Sequence, residues 1–119
     1  MPRQIPTIVI PQSGTGTETI ADALQHYSQA LPVGALQEKQ ANVIATMVAA
    51  PGPLNCWVEI SSTGLAGSWV PLGIASVLVA TGGLALPWTA HSSFARIGIQ
   101  APLWAAGSWI VVVTFEAKI

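Results

Sequence analysis

Residues able to do chemistry are few in this chain, and their spacing does not gather them into a reactive group. His26 and His91 are the only histidines and stand far apart. A metal site using both would need a carboxylate such as Asp22 to arrive through the fold. Asp22 and His26 sit at helical spacing, but the pair reads first as solvated polar residues. The acids Glu18, Asp22, Glu38, Glu59 and Glu116 show no pairing of the kind that acid–base cleavage requires. The glycines of SGTGTET, residues 13–19, lack the following Lys-Ser/Thr of a phosphate loop. Cys56 is the single cysteine, which excludes an internal disulfide. Its neighbours Asn55 and Trp57 bring neither base nor cation, so it reads as a buried, inert thiol. The expectation is a protein with no catalytic residue, no metal ligand and no cofactor, and therefore not an enzyme.

The remaining charge is more telling. Between Gln40 and Phe115 the only fixed charges are Glu59 and Arg96. An isolated charge in apolar surroundings costs several kcal/mol, so these two are expected to pair, across adjacent strands or across a subunit interface. Charged residues make up 8% of the 119-residue chain and hydrophobic ones 51%, where about a quarter charged is ordinary. A monomer depends on a charged surface to stay in solution. Burial of much of this surface in an oligomer or a larger assembly explains the deficit most simply. A net charge of −1 with scattered basic residues offers no stripe for nucleic acid. Residues 70–88 are long and apolar enough to raise a membrane span, yet Pro71, Gly73, Gly82, Gly83 and Pro87 interrupt them and no basic flank follows. The N-terminus reads as too proline-rich for a secretory leader, which leaves assembly in the cytoplasm as the default.

The elements that must position these residues read as strands. Pro2, Pro6 and Pro11 forbid a helix at the start, so residues 1–16 form an extended arm ending in a flexible linker at 12–16. The arm could add a strand to a neighbouring subunit or form an edge strand of its own domain. Residues 17–31 are open. Thr15 and Glu18 could cap a helix carrying Ile20, Leu24, Tyr27 and Leu31 on one face, while context favours a strand over 24–31. Thereafter strands are expected at 42–49, 54–61, 69–72, 75–80, 94–100 and 109–117, separated by Gly, Pro, Ser and Thr. No internal repeat is visible. The whole is mainly β, a single antiparallel β-sandwich or jelly roll over residues 17–119.

Residues 57–73, WVEISSTGLAGSWVPLG, resemble a hairpin of jelly-roll sandwich modules, in which an acid-x-Ser strand meets a glycine turn and a tryptophan returns into the core. FARIGIQAP and the closing GSWIVVVTFEA are similar to later strands of such modules. The likeness spans about residues 54–119 and implies a core position for Trp69. It points to two groups, carbohydrate-binding modules and virion structural proteins of tailed phages, notably capsid decoration (cement) proteins. Short length, arm and low charge suit the second group.

The resulting expectation is a virion protein, made in the host cytoplasm, that forms a homotrimer or other homo-oligomer and stabilises a capsid. Its partners would be itself and capsid or other virion proteins, with no nucleic acid and no membrane. The expected assembly interface comprises Ile5, Ile8, Val9 and Ile10 on the arm. To these are added Leu84, Leu86 and Trp88 in one apolar-tipped loop, and Leu103 and Trp104 in another. The alternatives are a carbohydrate-binding module, with tryptophans as an exposed platform, and a fibre subunit that donates its N-terminal strand.

Overall fold

Strand-forming residues punctuated by Gly and Pro produce an all-β chain. The computed structural model describes the backbone of residues 7–9 and all of residues 17–117, and among these there is no helix. The strands are β1 (Thr7–Val9), β2 (Glu18–Ile20), β3 (His26–Tyr27), β4 (Leu31–Pro32), β5 (Lys39–Val48), β6 (Leu54–Ser61), β7 (Val70–Leu78), β8 (Gly82–Trp88), β9 (Phe94–Gln100) and β10 (Ser108–Ala117). One sheet runs β1-β10-β5-β8 with β2 also on β10, and the other runs β3-β9-β6-β7 with β4 also on β9. All pairs are antiparallel. Because β1 and β2 share one edge of β10, and β3 and β4 share one edge of β9, each pair acts as one broken strand. The order is then that of an eight-stranded jelly roll.

The core follows from period-two alternation. Ala41, Val43 and Ala45 of β5, Val111 and Val113 of β10, Leu54, Cys56 and Val58 of β6, and Ala95, Ile97 and Ile99 of β9 all point between the sheets and are buried. Trp109 is fully buried there, and its indole N–H donates to the Gly52 carbonyl at 2.9 Å. Burial pushes the Cys56 thiol up to about 12, which keeps it protonated and inert at neutral pH.

Several expectations change. Residues 17–31 hold three short strands, and Leu24 lies in the bend between two of them with its side chain exposed. The strands expected at 69–72 and 75–80 are one, β7, continuous through Gly73. The largest correction is at residues 84–90, expected as an apolar-tipped loop for assembly. They lie mostly in β8, whose alternation sends Leu86 and Trp88 into the core and packs Leu84 against it. Trp88 contacts Phe115 at 5.8 Å between ring centroids. Pro87 and the glycines suggested a loop because a proline cannot donate to a ladder, but β8 is an edge strand, where that loss is tolerated. Ile5 and Ile10 lie outside the described residues. Ile8 and Val9 are described in backbone only, in β1, which pairs Ile8 with Thr114 of the same chain.

The crossing from the first sheet to the second, between β2 and β3, is held by polar contacts. Asp22 Oδ1 accepts the Leu24 backbone N–H at 3.0 Å and lies 2.8 Å from His26 Nε2. Glu18 Oε1 lies 3.7 Å from His26 Nδ1. The hydrogen bond with His26, then the one with Leu24, hold the Asp22 carboxyl below its ordinary value. A depressed carboxylate stabilises the fold above its unfolded pKa of about 3.9 and loses that contribution as pH falls through the lower folded value. In a carboxyl-carbon NMR titration, His26→Gln should therefore raise the Asp22 midpoint toward the ordinary value. An unchanged midpoint would show that the imidazole does not set it.

Candidate functional site

The same alternation that fills the core turns a second set of side chains outward on the β3-β9-β6-β7 sheet. From β6 these are Asn55, Trp57, Glu59 and Ser61, and from β9 they are Phe94, Arg96, Gly98 and Gln100. Register sets Glu59 opposite Arg96, Trp57 opposite Gly98 and Asn55 opposite Gln100. On the other side of β9, Tyr27 stands opposite Gly98. A row of polar and aromatic groups therefore crosses the outer face of the sheet.

At its centre Glu59 is shared. Oε1 accepts from Arg96 Nε at 2.9 Å and lies 2.8 Å from Nη2, while Oε2 accepts the Trp57 indole N–H at 2.8 Å. The Arg96 guanidinium is sandwiched, 3.8 Å from the Tyr27 ring centroid and 4.4 Å from that of Trp69. Tyr27 meets Trp57 edge-on at 6.3 Å. Each charge thus has a partner of opposite sign, and the cation also has two ring faces, a favourable setting when partly desolvated. Trp69, expected in the core, is half-buried on this outer face instead. It has the parity of Pro71, which pairs with Glu59, and not that of Val70 and Leu72, which pair with the inward Ile60 and Val58. The turn before it is fixed by the Ser61 hydroxyl, which accepts the Gly64 N–H at 2.8 Å and contacts the Ser68 hydroxyl.

Trp57 lies flat because nothing stands beneath it. A Cβ on Gly98 would overlap the indole, so only glycine admits the ring at that position. Along the other edge, Val58 pairs with Leu72 but Cys56 pairs with Ser76, so Gly73, Ile74 and Ala75 stand opposite Trp57 alone. The bulge turns Ile74 out, 96% exposed, with Gly73 in the left-handed region at φ 67°. Bulges re-aim a strand beside a site, and here a cleft of about 280 Å³ opens between the bulge and Trp57, with Gln25, Asn55, Glu59 and Gln100 also on its walls.

The first sheet presents a different outer face. Ile44 and Val48 of β5 and Ile110 of β10 are 56%, 46% and 38% exposed. Ile44 pairs with Val112, Ile110 with Thr46 and Val48 with Ser108, while Gly83 of β8 flanks Ile44. Beyond them, Gln40 and Asn42 bind the Glu116 carboxylate at 3.3 and 3.4 Å, confining charge to one end. The other end continues into exposed loops. Leu103 is 73% exposed beside Gly52, and Val79 is exposed in the turn whose Thr81 hydroxyl accepts the Met47 N–H. Of the residues expected at an interface, Leu103 is therefore outward. Trp104 is tucked against the core with its indole N–H on the Gly107 carbonyl at 2.9 Å. Ile44, Val48, Ile110 and Val112 escaped the sequence reading. Their signal was available in strands apolar on both faces of the alternation.

A cavity of about 380 Å³ lies near the polar end and is bordered by Lys39, Trp88 and Glu116. Lys39 is buried, which lowers its pKa, and its ammonium donates to the Ala90 carbonyl at 3.0 Å, tying down the loop after β8. Among the described residues, no group of three or more His, Cys, Asp or Glu is arranged to hold a metal ion. No described helix is long and apolar enough to cross a membrane.

No protein-family model matches the chain, and no curated protein matches it. Solved structures do share its fold. The chain is similar to the PBSX exported protein XepA, with a TM-score of 0.63 and 10% identity, over 96% of this chain and 36% of that one. It is similar to a chain of the infectious bursal disease virus Gx strain at TM-score 0.55 and 12% identity, over 99% of this chain and 32% of that one. A third is the N-terminal cellulose-binding domain from Cellulomonas fimi β-1,4-glucanase C, at TM-score 0.54 and 10% identity, over 96% and 87% of the two chains. The chain thus spans about a third of the length of the first two. At such identities the likeness establishes the jelly-roll sandwich alone.

The central network gives a direct prediction. Arg96→Met leaves the Glu59 carboxylate, 8% exposed, without its cation, and should cost about 3–5 kcal/mol in denaturant unfolding. Adding Glu59→Gln should recover most of that loss. A single variant as stable as the wild type would mean that solvent already neutralises Glu59.

Proposed function

We propose that the chain is a non-enzymatic structural protein of a virion, of the capsid decoration or cement kind, that works by covering apolar surface on a shell and on copies of itself. The supporting observation is the aliphatic patch on the outer face of β5 and β10, where Ile44, Val48 and Ile110 are exposed and Ile110, opposite Thr46, stands diagonally between Ile44 and Val48. Contiguous exposed apolar surface marks contact with another protein. The side chains concerned are β-branched and mounted on a sheet, so they lose little freedom on association. No charge interrupts them, which removes the desolvation cost that usually opposes docking.

The chain's composition supports the same reading. With 8% charged residues, the molecule has little solvated surface to lose when it packs into an assembly. Leu103 and Val79, both exposed, add apolar surface at one end of the sandwich, which suits contact along a seam between shell subunits. On this reading the protein is made in the host cytoplasm, acts in the virion as a homotrimer or similar homo-oligomer, and needs neither cofactor nor nucleic acid.

Ile44→Lys with Ile110→Lys tests the proposal, because both side chains point outward and the fold should lose no more than about 0.5 kcal/mol at each. Wild-type protein should co-sediment with expanded shells of the phage that encodes it, and the double variant should bind at least about tenfold more weakly. Equal binding by the variant, or no binding by either, would reject this face as the shell contact.

A further inference from the structure

We propose that the cleft beside Trp57, on the sheet opposite the apolar face, is a binding site for a neutral, hydroxyl-rich ligand, a glycan chain. The proposal rests on four features of the cleft and is independent of the assembly reading. The first is shape. The β7 bulge holds Gly73 with nothing within 4 Å of where a Cβ would stand, so the cleft stays open on that side. Its volume of about 280 Å³ lies near the lower end of small-molecule sites, about 300 Å³, enough for a short stretch of a longer chain.

The second is the wall chemistry. Gln25, Asn55 and Gln100 supply amides, and Trp57, only 9% exposed, adds a narrow strip of indole. Among the described residues the Asn55 amide has no hydrogen-bond partner. Gln100 donates through Nε2 to the Ala23 carbonyl at 2.9 Å, which leaves its Oε1 for a ligand. The Gln25 carbonyl accepts from the Tyr27 hydroxyl, which leaves its NH₂. An amide offers a donor and an acceptor together, the complement of a hydroxyl that both donates and accepts. The amides, more than the largely covered indole, therefore carry the recognition.

The third is charge. Glu59 is the one ionised group on the cleft wall, and it is already neutralised by Arg96. A phosphate, sulfate or carboxylate entering the cleft would find no free cation, so charged ligands are disfavoured and neutral ones are not. The fourth is preorganisation. The Trp57 ring is fixed by its bond to Glu59 and by its seat on Gly98, so binding does not have to pay for ordering it.

The test uses the full chain on a printed array of neutral oligosaccharides, including glucan and xylan hexaoses, with sialylated and sulfated glycans as the charged arm. The wild type should retain neutral glycans with dissociation constants in the micromolar to millimolar range, of order 10⁻⁵–10⁻³ M. Asn55→Ala, which breaks no side-chain hydrogen bond among the described residues, should weaken that retention at an unchanged melting temperature. Adding Gln100→Ala should bring the loss to at least about tenfold, with only the small drop in melting temperature expected from losing the bond to Ala23. Gly73→Asn, which keeps the left-handed backbone and fills the cleft, should do the same by an independent route. The Ile44→Lys, Ile110→Lys variant should bind glycans as the wild type does, which separates this site from the assembly face. No neutral glycan retained, a preference for the charged arm, or full retention by both cleft variants would overturn the proposal.

Discussion

The outer face of the β3-β9-β6-β7 sheet is organised around one carboxylate. Glu59 is buried among neutral groups, a position that is tenable only because Arg96 answers its charge and Trp57 occupies its second oxygen. The consequences spread from there. Arg96 draws Tyr27 and Trp69 against its two faces, which brings the short β3 strand and the β6–β7 turn onto the sheet. Trp57, once fixed, requires glycine at position 98 and leaves room for the bulge in β7. A single ion pair thus decides where four aromatic or cationic side chains lie, although it contributes nothing to the core itself.

The two sheets therefore serve one core but turn unlike faces outward. The first sheet carries Ile44, Val48, Ile110 and Val112 where a solvated sheet would carry Thr, Lys and Glu. The second carries amides, aromatics and a neutralised ion pair around a cleft. Such a division suits a protein that is held by one face and presents the other. The low overall charge shows in both faces, since the aliphatic patch holds no ionised group and the carboxylate beside the cleft, Glu59, is already paired with Arg96.

Much of the scaffold was legible in the sequence, for physical reasons that can be named. Phe94–Gln100 and Leu54–Ser61 were readable because alternation and flanking turn residues agreed. The pairing of Glu59 with Arg96 was readable because a lone charge in so apolar a stretch demands an answer. What misled was local signal overridden by tertiary position. Pro87 between apolar residues looks like a loop tip until β8 is known to be an edge strand. Trp69 looks like core because tryptophan is large and apolar, but strand parity sends it outward to a cation. The cleft was the least legible feature. It depends on a bulge opposite Trp57 and on register between β6 and β9, and neither leaves a mark in composition or spacing.

The central claim is that the apolar face of the first sheet exists to be covered by protein. Molar mass in solution at low micromolar concentration, measured by sedimentation equilibrium, addresses it most directly. The account predicts a discrete homo-oligomer, with a trimer at three times the 12.3 kDa chain mass the leading expectation, that dissociates when lysine replaces Ile44 and Ile110. A stable, soluble monomer across that range, with the same mass for wild type and variant, would contradict it.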